Sequence, residues 1–355
     1  MRGKKFSIGL KAVAIFAVTL LVTSTWAATN WHEKVLHSFN GTDGWSPEAG
    51  LIFDAAGNLY GTTEYGGTGG NCGAYGCGTV FELTPNGSGG WTETVLYSFC
   101  PQTGCTDGAN PAAGLIFDAA GNLYGTTEYA GAYNSGTVFE LTPNGSGGWT
   151  ETVLYSFCSQ ANCTDGYGPL AGLIFDASGN LYGTTRDGGA YGYGTVFELT
   201  PTGGGAWTER VLHGFGKGTD GAGPSYYGKL IFDAAGNLYG MTLSGGAYGF
   251  GTAFELTPTA GGGWTEQVLY SFNNNGADGI SPFAGLTFDA AGNLYGTTWE
   301  GGIYSCGGAG SACGTVFELS PVYSCAKCSH TADRELNVFP AERRDVLEQG
   351  GIERQ

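Results

Sequence analysis

Residues 51–67 read LIFDAAGNLYGTTEYGG, and nearly the same phrase returns four more times. It stands at 115–131 as LIFDAAGNLYGTTEYAG and at 173–189 as LIFDASGNLYGTTRDGG. It recurs at 230–246 as LIFDAAGNLYGMTLSGG and at 286–302 as LTFDAAGNLYGTTWEGG. Its Asp residues are Asp54, Asp118, Asp176, Asp233 and Asp289, spaced by 64, 58, 57 and 56 residues. A period of this length marks a repeat architecture, in which each unit needs its neighbours to bury an apolar face.

Working outward from the phrase, each repeat contains four short runs bounded by Gly, Asn, Asp and Pro, as strands are. In the first repeat they are residues 50–54 (strand A), 58–63 (B), 78–84 (C) and 91–99 (D). In WTETVLYSF, Trp91, Glu93, Val95, Tyr97 and Phe99 share one face by the two-residue period of a strand. Four antiparallel strands per unit, repeated about an axis, is the composition of a β-propeller blade. Strands A, B and C occur five times, whereas D follows C only four times, at Trp91, Trp149, Trp207 and Trp264. The missing copy stands at the other end, as WHEKVLHSF at residues 31–39. The expected fold is therefore all-β, a propeller of five four-stranded blades. Its last blade is completed by residues 31–39 pairing with residues 314–319, which removes two exposed sheet edges.

The three recurring motifs, DAAGNLYGTT, GTVFELTP and WTETVLYSF, resemble the GloVer tandem repeat of exported bacterial proteins, called "choice-of-anchor" for their varied C-terminal sorting signals. The resemblance covers about residues 31–321. It implies an extracytoplasmic repeat protein and implies no activity. This chain departs from the pattern in its tail, residues 322–355, which has no terminal apolar helix followed by a basic cluster.

Composition agrees with many tight turns: 67 of 355 residues are Gly, without a Gly-X-Y period. The start reads as an export signal, residues 1–27. Arg2, Lys4, Lys5 and Lys11 precede or enter an apolar run at residues 12–22, too short to span a bilayer, and Thr25-Trp26-Ala27 suits cleavage before Ala28. The formal net charge of −17 becomes about −21 without those four basic residues. Residues 31–321 hold only five basic side chains, Lys34, Arg186, Arg210, Lys217 and Lys229. Such a surface repels nucleic acid and anionic membranes and suits cations or neutral polar ligands. The expected partner is a polysaccharide or a protein, met by a monomer that has no membrane attachment once the signal is removed.

The DAAGN stretch between A and B offers one carboxylate per loop. A calcium site gathers six to eight oxygens, so a structural hairpin is the expected role and calcium the lesser alternative. The Asn86-Gly-Ser and Asn144-Gly-Ser sequons belong to C–D turns of the same kind. Function is expected where the repeats differ. From Phe to Asp, the D–A loops span 4, 8, 8, 5 and 6 residues, and the B–C loops span 15, 9, 9, 9 and 16 from Thr to Gly. Antiparallel connection places both loop types on one side of each sheet, leaving the uniform hairpins on the other.

Cysteines accompany the long loops as pairs, Cys72/Cys77, Cys100/Cys105, Cys158/Cys163 and Cys306/Cys313. In an exported chain this pattern predicts four local disulfides that offset loop entropy. Metal binding requires two distant pairs to converge, with no histidine nearby. The D–A loops also carry Asp-Gly-x-x-Pro, with Asp43, Asp107, Asp165, Asp220 and Asp278. These five Asp are candidate ligand groups at a channel mouth, or turn anchors. Tyr65, Tyr129, Tyr191, Tyr248 and Trp299 adjoin them and could stack on sugar rings. No catalytic group is assigned. His32, His37 and His213 fall on D strands, and Glu82, Glu140, Glu198, Glu255 and Glu318 recur as scaffold. Arg186, Asp187 and Glu300 break the repeat without an evident partner. Cys325, Cys328 and His330 in the tail are too few for zinc and suit a short disulfide.

The reading is a secreted, non-enzymatic binding module. A lectin-like polysaccharide binder is the alternative, and a glycan hydrolase or lyase the third choice.

Overall fold

The computed structural model describes residues 32–306 and 313–321. The signal segment, the tail with Cys325, Cys328 and His330, and Trp31 lie outside the described residues. Two compact parts are distinguished, Met1–Ser38 and Phe39–Gln355. In the first, residues 32–38 carry no strand.

The second part is all-β. Repeat 1 contains β1 (Ile52–Phe53), β2 (Leu59–Thr63), β3 (Thr79–Pro85) and β4 (Trp91–Ser98). Repeat 2 contains β5 (Ile116–Phe117), β6 (Leu123–Thr127), β7 (Thr137–Pro143) and β8 (Trp149–Ser156). Repeat 3 contains β9 (Ile174–Phe175), β10 (Leu181–Thr185), β11 (Thr195–Gly203) and β12 (Ala206–Gly214). Repeat 4 adds β13 (Gly221–Pro224) to β14 (Ile231–Phe232), β15 (Leu238–Gly245), β16 (Thr252–Pro258) and β17 (Trp264–Ser271). Repeat 5 has β18 (Gly279–Ile280), β19 (Thr287–Phe288), β20 (Leu294–Thr298), β21 (Glu300–Gly301) and β22 (Thr315–Leu319). The first three repeats are four-stranded sheets in the order A-B-C-D, and every pairing is antiparallel. In repeats 1–3 the predicted strands thus form within a few residues of their expected limits, whereas no strand is described at residues 32–39.

Two glycine positions explain why the phrase is so strict. A Cβ on Gly61, in the middle of β2, would lie 2.7 Å from the Phe81 ring. The B and C strands therefore close only if that position has no side chain. Gly78, at the start of strand C, has φ +93°, and a Cβ there would lie 2.5 Å from the Thr63 carbonyl oxygen. That conformation and approach suit glycine alone. Beside it, the hydroxyls of Thr63 and Thr79 meet at 2.8 Å, and the same Thr pair closes all five B–C necks.

Packing between successive repeats is also periodic. Phe99 lies edge-on to Phe139, Phe157 to Phe197, Phe215 to Phe254 and Phe272 to Phe317, with centroids 5.0–5.1 Å apart. Phe39 meets Phe81 in the same way at 5.0 Å. The Phe that ends WHEKVLHSF therefore takes the place that a D-strand Phe takes elsewhere. Trp149, Trp207 and Trp264 each pack on the B-strand Tyr of the preceding repeat, at 6.4–6.5 Å.

The last boundary differs. β22 pairs with β20 and with no other described strand, so the expected pairing of residues 31–39 with β22 is not among the described pairs. Where a fifth Trp would pack on Tyr239, a cavity of about 680 Å³ opens, lined in part by Tyr239, Phe288, Leu319 and Pro321. Val316 is 80% exposed, whereas its counterparts Val80, Val138, Val196 and Ala253 are buried. Leu51 and Phe53, at the other end of the array, are exposed too.

Candidate ligand-binding site

On the uniform side, each DAAGN carboxylate is fully engaged by its own loop. Asp54 Oδ1 accepts from the Ala56 and Asn58 amides, and Oδ2 from Asn58 Nδ2 and the Tyr60 hydroxyl. The pattern repeats at Asp118, Asp176, Asp233 and Asp289. Hydrogen bonds from Asn293 hold the Asp289 carboxyl below its ordinary value. The Tyr60 hydroxyl shares its one proton between Asp54 Oδ2 at 3.2 Å and Glu82 Oε1 at 2.9 Å, and Tyr124, Tyr182 and Tyr239 sit likewise between their turn Asp and strand C Glu. These groups are scaffold, and the calcium alternative finds no free carboxylate there. Asn86 Oδ1 similarly accepts from Ser88 Oγ and the Gly90 amide within its turn.

Four of the five D–A loop Asp, Asp107, Asp165, Asp220 and Asp278, accept hydrogen bonds from backbone amides or side chains of their own loop and the strand that precedes it, and Asp43 does so from Asn40. Asp107 accepts from the Tyr97 hydroxyl at 2.9 Å and the Cys100 amide at 2.7 Å. Asp165, fully buried, accepts from the Tyr155 hydroxyl and from Ser159. Asp278 accepts from the Tyr270 hydroxyl and the Asn273 amide. Asp220 accepts from the Gly216 amide and lies 3.3 Å from His213 Nε2. Asp43 accepts from Asn40. This geometry is that of turn anchors. The reason is local: the loop doubles back on strand D, and the Asp caps its amides.

The D-strand glutamates of the following repeats sit near these Asp. Burial, then the Asp107 charge, pushes the Glu151 carboxyl up to about 8. Burial and Asp165 push Glu209 to about 8, and burial and Asp220 push Glu266 to about 7. Oε1 of each of the three is buried without a hydrogen-bond partner.

All four expected disulfides are present, Cys72–Cys77, Cys100–Cys105, Cys158–Cys163 and Cys306–Cys313. Two of their loops carry short 3₁₀ turns, Gly73–Tyr75 and Ala161–Cys163. One expectation is corrected. The Cys72/Cys77 and Cys100/Cys105 pairs are not distant, since their four sulfurs lie within 4.8 Å of one another.

The five repeats do meet at one place, through side chains the repeat does not fix. The Tyr227 hydroxyl of repeat 4 donates to Glu48 Oε2 of repeat 1 at 3.2 Å. Glu48 lies close enough to Glu64 for its charge to raise that carboxyl. Next come Glu128 of repeat 2 and Arg186 of repeat 3, ion-paired at 2.7 Å. Arg186 Nε also donates to Asp187 Oδ2, and its guanidinium lies 6.0 Å from the centroid of the Tyr226 ring. Tyr226 and Tyr227 both pack on Phe283 of repeat 5, which meets Trp299 at 5.5 Å. From Phe283 the contacts return to Tyr227 and Glu48, while Glu64 is coupled to Glu48 and Glu128 by charge. Trp299 and Tyr227 are more than half exposed, while Glu128 is buried.

Its electrostatics are dominated by carboxylates. Burial raises the Glu64 carboxyl above its ordinary value. The hydrogen bond from Tyr65 opposes that shift, and the Glu48 and Glu128 charges add to it. The Tyr65 hydroxyl is in turn pushed up to about 12, first by its hydrogen bond to Glu64. Arg186 is the single cation of the cluster, and Glu128 and Asp187 hold it.

Of the residues singled out in the sequence, Arg186, Asp187 and Trp299 come together here, with Tyr65 and Tyr129 alongside. Tyr191 and Tyr248 are exposed loop residues with no part in the cluster. Glu48, Glu64, Glu128, Tyr226, Tyr227 and Phe283 were missed. Their signal was positional. The residue after LYGTT or its variant reads Glu64, Glu128, Arg186, Leu243 and Trp299, and the residue after the loop Pro reads Glu48, Ala112, Leu170, Ser225 and Phe283. These two columns change in every repeat or nearly so, inside otherwise constant words.

The profile of the Gloeobacter/Verrucomicrobia repeat matches residues 20–174 and 155–341. The chain belongs to the Gloeobacter/Verrucomicrobia repeat family. This agrees with the resemblance drawn from the three recurring motifs. No curated protein matches. Among solved structures, a 6-phosphogluconolactonase homologue from Bacteroides uniformis is 17% identical, with TM-score 0.42 over 71% of this chain and 64% of that one. This family member therefore spans less than two thirds of that protein's length. An exo-1,5-α-L-arabinanase from a bovine ruminal metagenomic library is 11% identical, with TM-score 0.32 over 79% of this chain and 95% of that one. A glucose dehydrogenase-like oxidoreductase from Thermus thermophilus is 13% identical, with TM-score 0.29 over 72% and 91%. At these scores the three carry no argument about activity.

Proposed function

We propose that this repeat protein is an exported glycan-binding module whose site is the meeting point of its five repeats. The observation that carries the proposal is the cluster of Glu48, Glu64, Glu128, Arg186, Tyr226, Phe283 and Tyr227, linked by contacts except at Glu64, which is coupled to Glu48 and Glu128 by charge. It joins side chains from every repeat, and they are side chains the repeat leaves free to vary. Exposed Trp299 and Tyr227 offer flat apolar faces for sugar rings. The carboxylates accept hydrogen bonds from hydroxyls and attract ammonium groups. With Arg186 already paired, anionic sugars meet net repulsion. The preferred ligand class is thus neutral or amino sugars in a polymer. Four disulfides suit an oxidising, extracytoplasmic setting, and no described helix is long and apolar enough to cross a membrane.

The fold reading that goes with this function is a five-bladed propeller closed by residues 31–39. Three features of the second compact part support it: the edge of β22 that no described strand pairs, the cavity beside Tyr239, and exposed Val316. Each is what a D strand starting with Trp would cover.

A glycan array probed with the purified chain tests the function. Binding confined to neutral or amino-sugar polymers, and lost in Tyr227→Ala, is the expected result. Binding to a protein but to no glycan would replace the ligand class. Turnover of a bound polysaccharide would replace the non-enzymatic reading with a hydrolase or lyase.

A further inference from the structure

The boundary between repeats 1 and 2 brings together two loops of unusual length. One is the B–C loop of repeat 1, with Cys72 and Cys77. The other is the D–A loop leading into repeat 2, with Cys100 and Cys105. Each pair has four residues between its cysteines, and all four sulfurs lie within 4.8 Å of one another. Cys77 and Cys100 are fully buried, and Cys72 and Cys105 are partly so. The two loops are held together independently of sulfur. Asn71 Nδ2 donates to the Cys100 and Gln102 carbonyls at 3.2 and 2.9 Å. The sulfurs are therefore gathered by the loops as well as by their own bonds.

We propose that in its thiol form the chain holds one zinc ion between Cys72, Cys77, Cys100 and Cys105. Four thiolates from two C-x₄-C pairs are the donor set and spacing of a structural tetrahedral zinc site. Adjacent sulfurs in such a site are about 3.8 Å apart, from zinc–sulfur bonds of ~2.3 Å. Four sulfurs already within 4.8 Å reach that geometry when each S–S bond is opened. Soft thiolate donors favour zinc over magnesium or calcium. No reduction is needed if zinc arrives before oxidation, because the newly made chain carries thiols. Starting from the oxidised chain, a dithiol reductant supplies two electrons and two protons to each S–S bond and itself becomes a disulfide. Zinc then displaces four thiol protons, and no sulfur changes oxidation state in that step. Disulfides and zinc are mutually exclusive at this boundary: each disulfide closes one loop on itself, whereas zinc bridges the two loops. The Cys158/Cys163 pair serves as an internal contrast, since the B–C loop of repeat 2 has no cysteine to meet it.

Cobalt(II), which reports tetrahedral thiolate coordination in its visible spectrum, is the probe. The full chain with Cys325→Ser and Cys328→Ser, to remove the tail thiols, is reduced and titrated without oxygen. The expected result is one cobalt per chain with a tetrathiolate spectrum, displaced by zinc. Alkylation mapping should show Cys72, Cys77, Cys100 and Cys105 protected and the other four cysteines modified. Cys158→Ser/Cys163→Ser should leave the spectrum intact, and Cys72→Ser/Cys77→Ser should abolish it. Absence of the spectrum in the chain with all four cysteines would overturn the proposal, as would protection of a different set. Because mapping needs no variant at the site, a misfolded variant leaves the decision intact.

Discussion

The two sides of each sheet have been shaped by opposite demands. On the hairpin side, the A–B turn forms five times with one hydrogen-bond pattern, as DAAGN in four repeats and DASGN in the third. On the loop side, lengths differ, disulfides appear, and Glu48, Glu64, Glu128, Arg186, Tyr226, Phe283 and Trp299 assemble from five repeats. Periodicity therefore marks what the fold requires. A site formed where repeats meet needs residues that differ, because five identical side chains around one point offer no directional chemistry.

The largest expected effect lies in the constant words. A Cβ on Gly183 would sit 2.5 Å from the Phe197 ring. Gly183→Val should cost ~3 kcal/mol or more, through overpacking between two central strands. Chemical denaturation measures it, and a shift under about 1 kcal/mol would contradict the close-packing account.

Next come the loop anchors. Asp165 is fully buried and accepts three hydrogen bonds from Tyr155 and Ser159. Asp165→Asn should cost about 1–3 kcal/mol, because donors are left facing an amide. Ligand affinity in the folded fraction should not change. A stable Asp165→Asn protein with lost binding would return these Asp to the site.

Stability should also fall as pH rises. Glu151 and Glu209 titrate near 8 and Glu266 near 7 in the fold, against an ordinary 4.5. Between those limits the folded chain keeps a proton that the unfolded chain has released, so raising pH favours unfolding. This contribution is complete below pH 4.5 and gone above about 8. Thermal melts across that range test it, and Glu151→Gln/Glu209→Gln should flatten the slope. A stability that rises from pH 5 to 8 in both proteins would contradict the assignment.

Most of the fold was legible because its determinants are local. Gly61 is dictated by contacts within one sheet, Gly78 by its own B–C neck and Pro111 of the next repeat, and each of the four disulfides joins cysteines within one loop. The meeting point was not legible in the same way. Glu48 and Tyr227 are 179 residues apart, and only the arrangement of repeats brings them together. The Asp-Gly-x-x-Pro motif drew attention through its regularity, and its Asp side chains accept hydrogen bonds within their own loops. Arg186 and Trp299 were visible as departures from the phrase, yet their partners became identifiable only with the side chains in place.

The smallest effect on stability should accompany the largest on binding. Tyr227 and Trp299 are exposed, so Tyr227→Ala and Trp299→Ala should shift unfolding by no more than about 0.5 kcal/mol. The most direct test of the central claim is calorimetric titration of the glycan identified on the array, comparing the wild-type chain with Tyr227→Ala/Trp299→Ala and with Asn237→Ala in a hairpin. The account predicts at least a ~10-fold loss of affinity, about 1.4 kcal/mol, for the double variant, and wild-type affinity for the hairpin variant. Unchanged affinity in the double variant, with loss in the hairpin variant, would place the site on the uniform side and contradict the account.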